Sequence, residues 1–275
     1  MKKQSVLRIT SISAIALIAI IFSACSLFKS LDLGRANLFP IDQDKELGLQ
    51  VKQEIEANPQ EYNVMKRSEY PEAYQHLDRM MSAILNSGEL KYKDEFAWEA
   101  YLIKDDETLN AFCTPGGYIY VYTGLIKFLD NESDLAGVLG HEIAHADRRH
   151  STQQLTKLYG VEILSQLALG QASSTTIAAV AKSLAQLKFS RAHETDADNH
   201  SVKYLCPTEY PADGAAAFFE KLIDQNMAGG TPEFLSTHPS PDNRVENIKA
   251  QRKSLTCNGT NEFTSRYAKF KAALP

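Results

Sequence analysis

The stretch 141-HEIAH-145 places two histidines four residues apart, with a glutamate directly after the first. On an α-helix, residues four apart lie one above the other on the same face, so His141 and His145 can offer imidazole nitrogens to a single cation. Zn2+ accepts such nitrogens at about 2.0–2.1 Å, and a catalytic zinc site keeps three protein ligands and one water whose pKa falls towards about 7. Glu142 is rotated around the helix from His141. It is poorly placed as a ligand but well placed to reach that water. A carboxylate there takes the water's proton as it attacks a carbonyl and then hands it to the leaving amine. These residue types at this spacing point to metal-assisted hydrolysis with one Zn2+ per chain.

A third ligand has to come from elsewhere. The spacing that adds a third histidine six residues after the second, with a glycine at three, finds Ser151 and Arg148 there, so His150 reads as a surface residue. The segment 191-RAHETDAD-198 is the better source. Glu194 and Asp198 are four apart and share a helical face, which suits one carboxylate as ligand and a second accepting the other N–H of a ligand imidazole. Asp196, His193 and His200 compete for the ligand role, and the residues alone leave that choice open.

The surrounding elements have to hold these groups. Apolar spacing predicts a helix over 41–58, with Ile41, Leu47, Val51 and Ile55 on one side, and another over 71–86, ended by Gly88. Segments 95–105 and 117–124 alternate as strands, separated by the turn-rich 110-NAFCTPGG-117. Helix is predicted over 125–150 with a break near Asp130-Asn131 and a cap at Asn131 or Ser133. In its second part Leu135, Val138, Leu139, Ile143 and Ala146 form one buried face. Further helices are predicted over 152–188 (interrupted at 174–176), 190–205 and 212–227, then a loop and short helix over 231–250. The expected fold is α+β and mainly helical. A small sheet lies over the HEIAH helix, and the 190–205 helix crosses beneath it to deliver Glu194.

The chain has 275 residues and a formal net charge of −5, a poor match to nucleic acid, which wants a basic face. MKKQSVLR, the uncharged run ITSISAIALIAII and then FSAC have the form of an export signal, and the run is short for a membrane span of roughly 20 residues. Phe22-Ser23-Ala24-Cys25 resembles a lipobox, although Phe22 stands where Leu is usual. Cleavage there leaves a lipidated Cys25 and makes the chain three charges more negative. Ser26 after it fits sorting to the outer membrane. The expected organisation is a signal peptide over 1–24, a tether over 25–40, a catalytic domain over 41–250 and a C-terminal tail over 251–275. In an oxidising compartment Cys206 and Cys257, both in loop-like sequence, are the expected disulfide pair, with Cys113 a buried free thiol without a catalytic role.

HEIAH, RAHETDAD and STHPSPDNR together resemble the HtpX and CAAX-protease type of zinc metallopeptidase, in particular its soluble periplasmic lipoprotein members, over about residues 42–250. The resemblance implies zinc on His141, His145 and Glu194, Glu142 as general base and Asp198 as partner of a ligand histidine. It places His238 near the zinc, either donating to the oxyanion or capping the metal in a resting form, and gives Arg244 a role in bracing that loop or holding substrate backbone. The segment 110–126 resembles the family's Pro-Gly-Gly turn and following strand. This makes Gly116, Gly117 and Tyr118 candidates for binding an extended peptide through an edge strand. The membrane-embedded members carry long apolar segments, and beyond its leader this chain has none. The implied function is an endopeptidase for misfolded or misassembled envelope proteins, lipid-anchored on the periplasmic side of a Gram-negative outer membrane. The competing readings are a processing protease with one partner, an assembly chaperone with gated cleavage, and a zinc-stabilised structural lipoprotein.

Overall fold

The structure is a computed structural model that describes residues 39–225, 233–239 and 243–275. The export leader, Cys25 and nearly all of the tether lie outside the described residues. The described elements are α1 (Ile41–Ala57), α2 (Pro71–Leu85), β1 (Glu99–Ile103), β2 (Ala111–Thr114), β3 (Tyr118–Tyr122), α3 (Thr123–Phe128), α4 (Glu132–Asp147), α5 (His150–Ala168), α6 (Ser174–Ala185), α7 (Arg191–Leu205), α8 (Gly214–Asp224), α9 (Glu233–Thr237), α10 (Arg244–Lys253) and α11 (Thr264–Ala272). Among the described residues, no helix is long and apolar enough to cross a membrane.

The three strands run in the order β1-β3-β2, with β1 parallel and β2 antiparallel to β3. Side chains alternate between the faces of a sheet, and here both faces are covered. Ala100, Leu102, Cys113, Ile119 and Val121 join the core built with α2, α4, α7 and α8. Tyr101, Phe112, Tyr118 and Tyr120 join a second core with α1, α5 and α6. On that second face Phe112 and Tyr101 stack on Tyr120, at ring separations of 4.8 and 5.2 Å. Double coverage explains why the strands are buried nearly throughout rather than at every second residue.

Helix α4, which carries HEIAH, is buried along its whole length, not along one face as its apolar pattern predicts. It starts at Asn131, whose backbone N–H donates to the Asp134 carboxylate at 3.2 Å. Elements pack around every side of it, and two glycines let them come close. A Cβ on Gly137 would lie 2.0 Å from the backbone nitrogen of Ala215 in α8, and one on Gly140 would lie 2.7 Å from the Ser201 hydroxyl in α7. The close approach offsets the roughly 1 kcal/mol that glycine costs inside a helix.

Several boundaries differ from expectation. Trp98, at φ 49°, turns the chain into β1, so residues 95–98 are not strand. Residues 111–114, expected as turn, form β2, because the glycines that signal the turn fall after Thr114. The helical run 152–188 breaks at 169–173, where Ser173 caps α6 by accepting the Thr176 N–H, and α5 is also interrupted at Gly160, which has φ 80°. The C-terminal 251–275 is not a tail. Tyr267 and Phe270 of α11 are fully buried, and the Tyr267 hydroxyl donates to the Ile126 carbonyl at 2.8 Å. A helix of nine residues shows too few apolar positions to reveal its period.

Candidate metal centre

His141 and His145 project from α4 so that their Nε2 atoms lie 3.0 Å apart. Helix α7 packs across α4, its N-terminus capped by Ser190, whose hydroxyl accepts the His193 N–H. Glu194 stands in the first turn of α7, where the helix dipole favours a carboxylate. Its Oε2 is 3.4 Å from His141 Nε2 and its Oε1 is 3.4 Å from His145 Nε2. One turn on, Asp198 Oδ1 lies 2.8 Å from His141 Nδ1. The four-residue spacing thus delivers two carboxylates to α4, one to each side of the same imidazole.

His238 follows the short helix α9 and completes the cluster. Its N–H donates to the Phe234 carbonyl at 2.7 Å, and its ring stacks on Phe234 at 4.3 Å. Its Nδ1 is 3.2 Å from Glu194 Oε1 and 3.3 Å from His141 Nε2, while its Nε2 is 3.4 Å from Glu142 Oε1. One ligand atom each from His141, His145, Glu194 and His238 falls within 4.8 Å of the others, all of them buried.

Both Glu142 oxygens are buried and accept no hydrogen bond. Burial pushes the Glu142 carboxyl up, against the pull of His238 and His141. Glu194 is held well below the usual carboxylate range, because His238, His141 and His145 outweigh its burial. His145 is driven well below the usual imidazole value by burial, so it carries the lone pair that a metal needs. His141 is pushed up to about 9, since Asp198 and Glu194 outweigh its burial. A proton on its Nε2 would occupy the place towards which the other donors converge. Arg244 adds one positive charge against Glu142, Glu194 and Asp198. Convergent imidazole nitrogens and a low-pKa carboxylate fit a divalent cation of the zinc type.

Arg244, at the start of α10, grips Asp198 with Nε and Nη2 and comes within 3.0 Å of Glu194 Oε2. It also stacks over Phe219 at 3.9 Å and lines a cavity of about 750 Å³ with Phe219, Leu222, Leu235 and Val245. Gly116, Gly117 and Tyr118 supply no donor to the cluster, although the turn Pro115–Gly117 packs beside α4. Both glycines adopt left-handed φ, and they and the Tyr118 ring pack against Asp44, Lys45 and Gly48 of α1 and against Phe96 and Trp98. The strand after them, β3, is the central one and is paired on both sides, so the edge packed beside α4 is β2 and not β3. Cys113 is buried, with its Sγ 3.4 Å from the Ser151 hydroxyl. Burial, and then the charge of Glu142, push this thiol well above its ordinary value and leave it unreactive. A disulfide joins Cys206 to Cys257.

Among the competing groups, His193, Asp196 and His200 stay outside the donor cluster. His150 is not a surface residue. It is 4% exposed and its Nδ1 is 3.1 Å from His145 Nδ1. Five residues of spacing match no helical face. Only the left-handed turn at Arg149, φ 60°, folds His150 back over His145, so no periodic signal could have revealed it. Phe189, stacked on His145 at 3.9 Å, was equally hidden.

Two histidines from one helix, a glutamate from another helix and, between the histidines, a buried carboxylate that accepts no hydrogen bond, under a small sheet, define a zincin-type metallopeptidase centre. Peptidase family M48 matches residues 71–252, and the chain belongs to that family. Among curated relatives, the chain is 33% identical over 162 residues to the beta-barrel assembly-enhancing protease of Escherichia coli strain K12, covering 54% of this chain and 33% of that protein. It is 36% identical over 151 residues to the mitochondrial metalloendopeptidase OMA1 of Arabidopsis thaliana, covering 54% of this chain and 30% of the relative. Against the Schizosaccharomyces pombe protein of the same name it is 31% identical over 160 residues, covering 56% and 47%. The matched region therefore spans about a third to a half of each relative's length.

Proposed function

We propose that this chain is a zinc-dependent endopeptidase of the HtpX-like, soluble lipoprotein type. It hydrolyses peptide bonds of misfolded or misassembled envelope proteins on the periplasmic side of the outer membrane of a Gram-negative bacterium, tethered through Cys25. The observation that carries the chemistry is Glu142: a fully buried carboxylate beside the donor cluster whose oxygens accept no hydrogen bond. A structural zinc site has no use for such a group. A name that couples proteolysis to β-barrel assembly in a relative supports an envelope substrate, and the leader with its lipobox-like FSAC supports the location.

His141, His145 and Glu194 would hold the zinc, which when bound would supply Lewis-acid chemistry and acidify water. Glu142 accepts a proton from the attacking water and passes it to the leaving amine. His238, next to Glu142 and outside the helix that carries it, donates to the oxyanion that forms on the substrate carbonyl. Asp198 keeps the His141 ring oriented. Arg244 braces Asp198 and lies within reach of the substrate backbone. An extended peptide pairs with β2, the outer strand beside α4, above the turn at Gly116, Gly117 and Tyr118.

A second reading is favoured by the position of His238 as a fourth donor. If His238 would help to hold the cation alongside His141, His145 and Glu194, the chain would serve chiefly as an assembly factor for outer-membrane proteins whose protease is gated.

The test is cleavage of an unfolded protein by the zinc-loaded protein beside its Glu142→Gln and His238→Ala variants. Cleavage by the first, none by Glu142→Gln and zinc retained in both support the general base. Equal cleavage by those two sinks it. Faster cleavage by His238→Ala supports gating, and slower cleavage supports the oxyanion donor.

A further inference from the structure

The Nδ1 of each ligand histidine is already engaged in the fold. For His141 the partner is Asp198. For His145 it is the Nδ1 of His150, at 3.1 Å. The other nitrogen of His150, Nε2, lies 3.2 Å from Asp196 Oδ2. That oxygen is itself held by Arg148 Nε at 3.0 Å. The rings are fixed by stacking: His150 on His193 at 4.4 Å and 12°, and His145 on Phe189 at 3.9 Å and 27°. The chain Asp196–His150–His145 thus leads from a partly exposed ion pair to the metal centre.

The proton positions along this chain follow from the chemistry of the groups. An ionised carboxylate only accepts, so His150 carries its proton on Nε2 and donates it to Asp196. The lone pair of His150 is then on Nδ1, facing His145. His145 donates its own Nδ1–H into it, which leaves the His145 lone pair on Nε2, the atom that faces His141 and Glu194. The tautomer of one ligand is set by the neighbour of its non-ligating nitrogen.

We propose that His150 is a positioning residue for zinc: with Asp196 behind it, it fixes the tautomer and ring orientation of His145 so that Nε2 is presented to the metal. The proposal rests on reading the cluster as a zinc site. Its effect is read in metal affinity.

The experiment measures the zinc affinity of the full chain by competition with a chromophoric chelator, alongside the melting temperature of the metal-free protein. His150→Phe keeps the stack on His193 and removes the acceptor, and it is expected to weaken zinc binding about 10- to 100-fold. His150→Gln restores an acceptor for His145 and a donor for Asp196, and is expected to recover most of that loss. Recovery by Gln but not by Phe separates hydrogen bonding from bulk. Native affinity in His150→Phe overturns the proposal, and so does a His150→Gln protein that binds as weakly as His150→Phe. Where His150→Phe fails to fold, Asp196→Ala carries the test on a partly exposed side chain: a loss of affinity supports the relay and an unchanged affinity overturns it. A native protein that binds no zinc would instead refute the metal reading of the cluster, and the relay with it.

Discussion

Arg244 and Asp198 form a buried two-point ion pair, Nε to Oδ2 at 2.8 Å and Nη2 to Oδ1 at 2.7 Å. The same Oδ1 receives His141 Nδ1 at 2.8 Å. Three elements, α10, α7 and α4, therefore meet at one carboxylate. The guanidinium both anchors α10 and neutralises the carboxylate that faces His141.

Removing Arg244 leaves Asp198 charged, buried and half-satisfied. Breaking such a pair by losing one partner costs about 3–5 kcal/mol. Arg244→Leu is expected to lower the free energy of urea unfolding by that amount, with a smaller loss in Asp198→Asn, whose single amide oxygen still accepts from Arg244 Nη2 and His141 while Glu194 keeps a charge opposite Arg244. A loss of less than about 1 kcal/mol in Arg244→Leu, the range of an exposed pair, would show that the pair is solvated.

The contact between α4 and α8 makes a different demand. A Cβ on Gly137 would meet the Ala215 backbone nitrogen at 2.0 Å, and one on Gly214 would meet the Ser133 carbonyl at 2.2 Å. Backbone cannot swing aside as a long side chain can. Gly137→Ala is expected to exceed the ordinary overpacking cost of about 1–3 kcal/mol, despite the better helix propensity of alanine. In a domain of this size the melting temperature should then fall by about 6 °C or more. A rise in melting temperature would mean that propensity dominates and the helices move apart freely.

What could be read from the sequence is what periodicity encodes. His141 with His145, and Glu194 with Asp198, are pairs at helical spacing, and both pairs meet in the centre. The apolar stripe Tyr74, Leu77, Met81 and Ile84 likewise marks the buried face of α2. Features that depend on a turn between elements carry no such period. His150 reaches His145 only through the left-handed Arg149. Tyr267 and Phe270 look like surface aromatics until α11 docks. The central rank of β3 depends on a parallel partner, β1, that arrives from across the turn region. Sequence shows which residues share a helix face, but not which strand takes the middle of a sheet.

The Cys206–Cys257 disulfide spans a sequence separation of 51 residues and ties the C-terminal end of α7 to the segment between α10 and α11. Loop-closure entropy for that length is worth about 4 kcal/mol. The Cys206→Ser, Cys257→Ser double variant is therefore expected to unfold up to about 4 kcal/mol more easily. Cys206 lies 12 residues beyond Glu194, about 18 Å along the helix, so zinc affinity should stay at the native level. Chelator competition on the double variant checks this, and a large affinity loss would show that the whole of α7 shifts when the bond is removed.

The last prediction concerns acid. Glu132, in the first turn of α4, has its side chain fully buried against Arg266 (2.5 and 3.0 Å), Arg79 (2.6 Å) and the Tyr210 hydroxyl (2.6 Å). Burial opposes its ionisation, but the hydrogen bonds from Arg266, Tyr210 and Arg79 outweigh it and hold the carboxyl below its ordinary value of 4.5. A carboxylate with a depressed folded pKa contributes stability that is fully present above the unfolded value and is lost as pH falls through the folded value. Glu132→Gln imitates the protonated form. It is expected to be about 2–3 kcal/mol less stable than the native chain at pH 7, the scale of hydrogen bonds to a charged group. That gap should narrow below about pH 4.5 and close once the native carboxyl is itself protonated. Urea unfolding of both proteins at pH 7, 5, 4 and 3 reads the convergence directly. A gap that stays constant across this range would place the cost in packing around Gln rather than in the charge of Glu132.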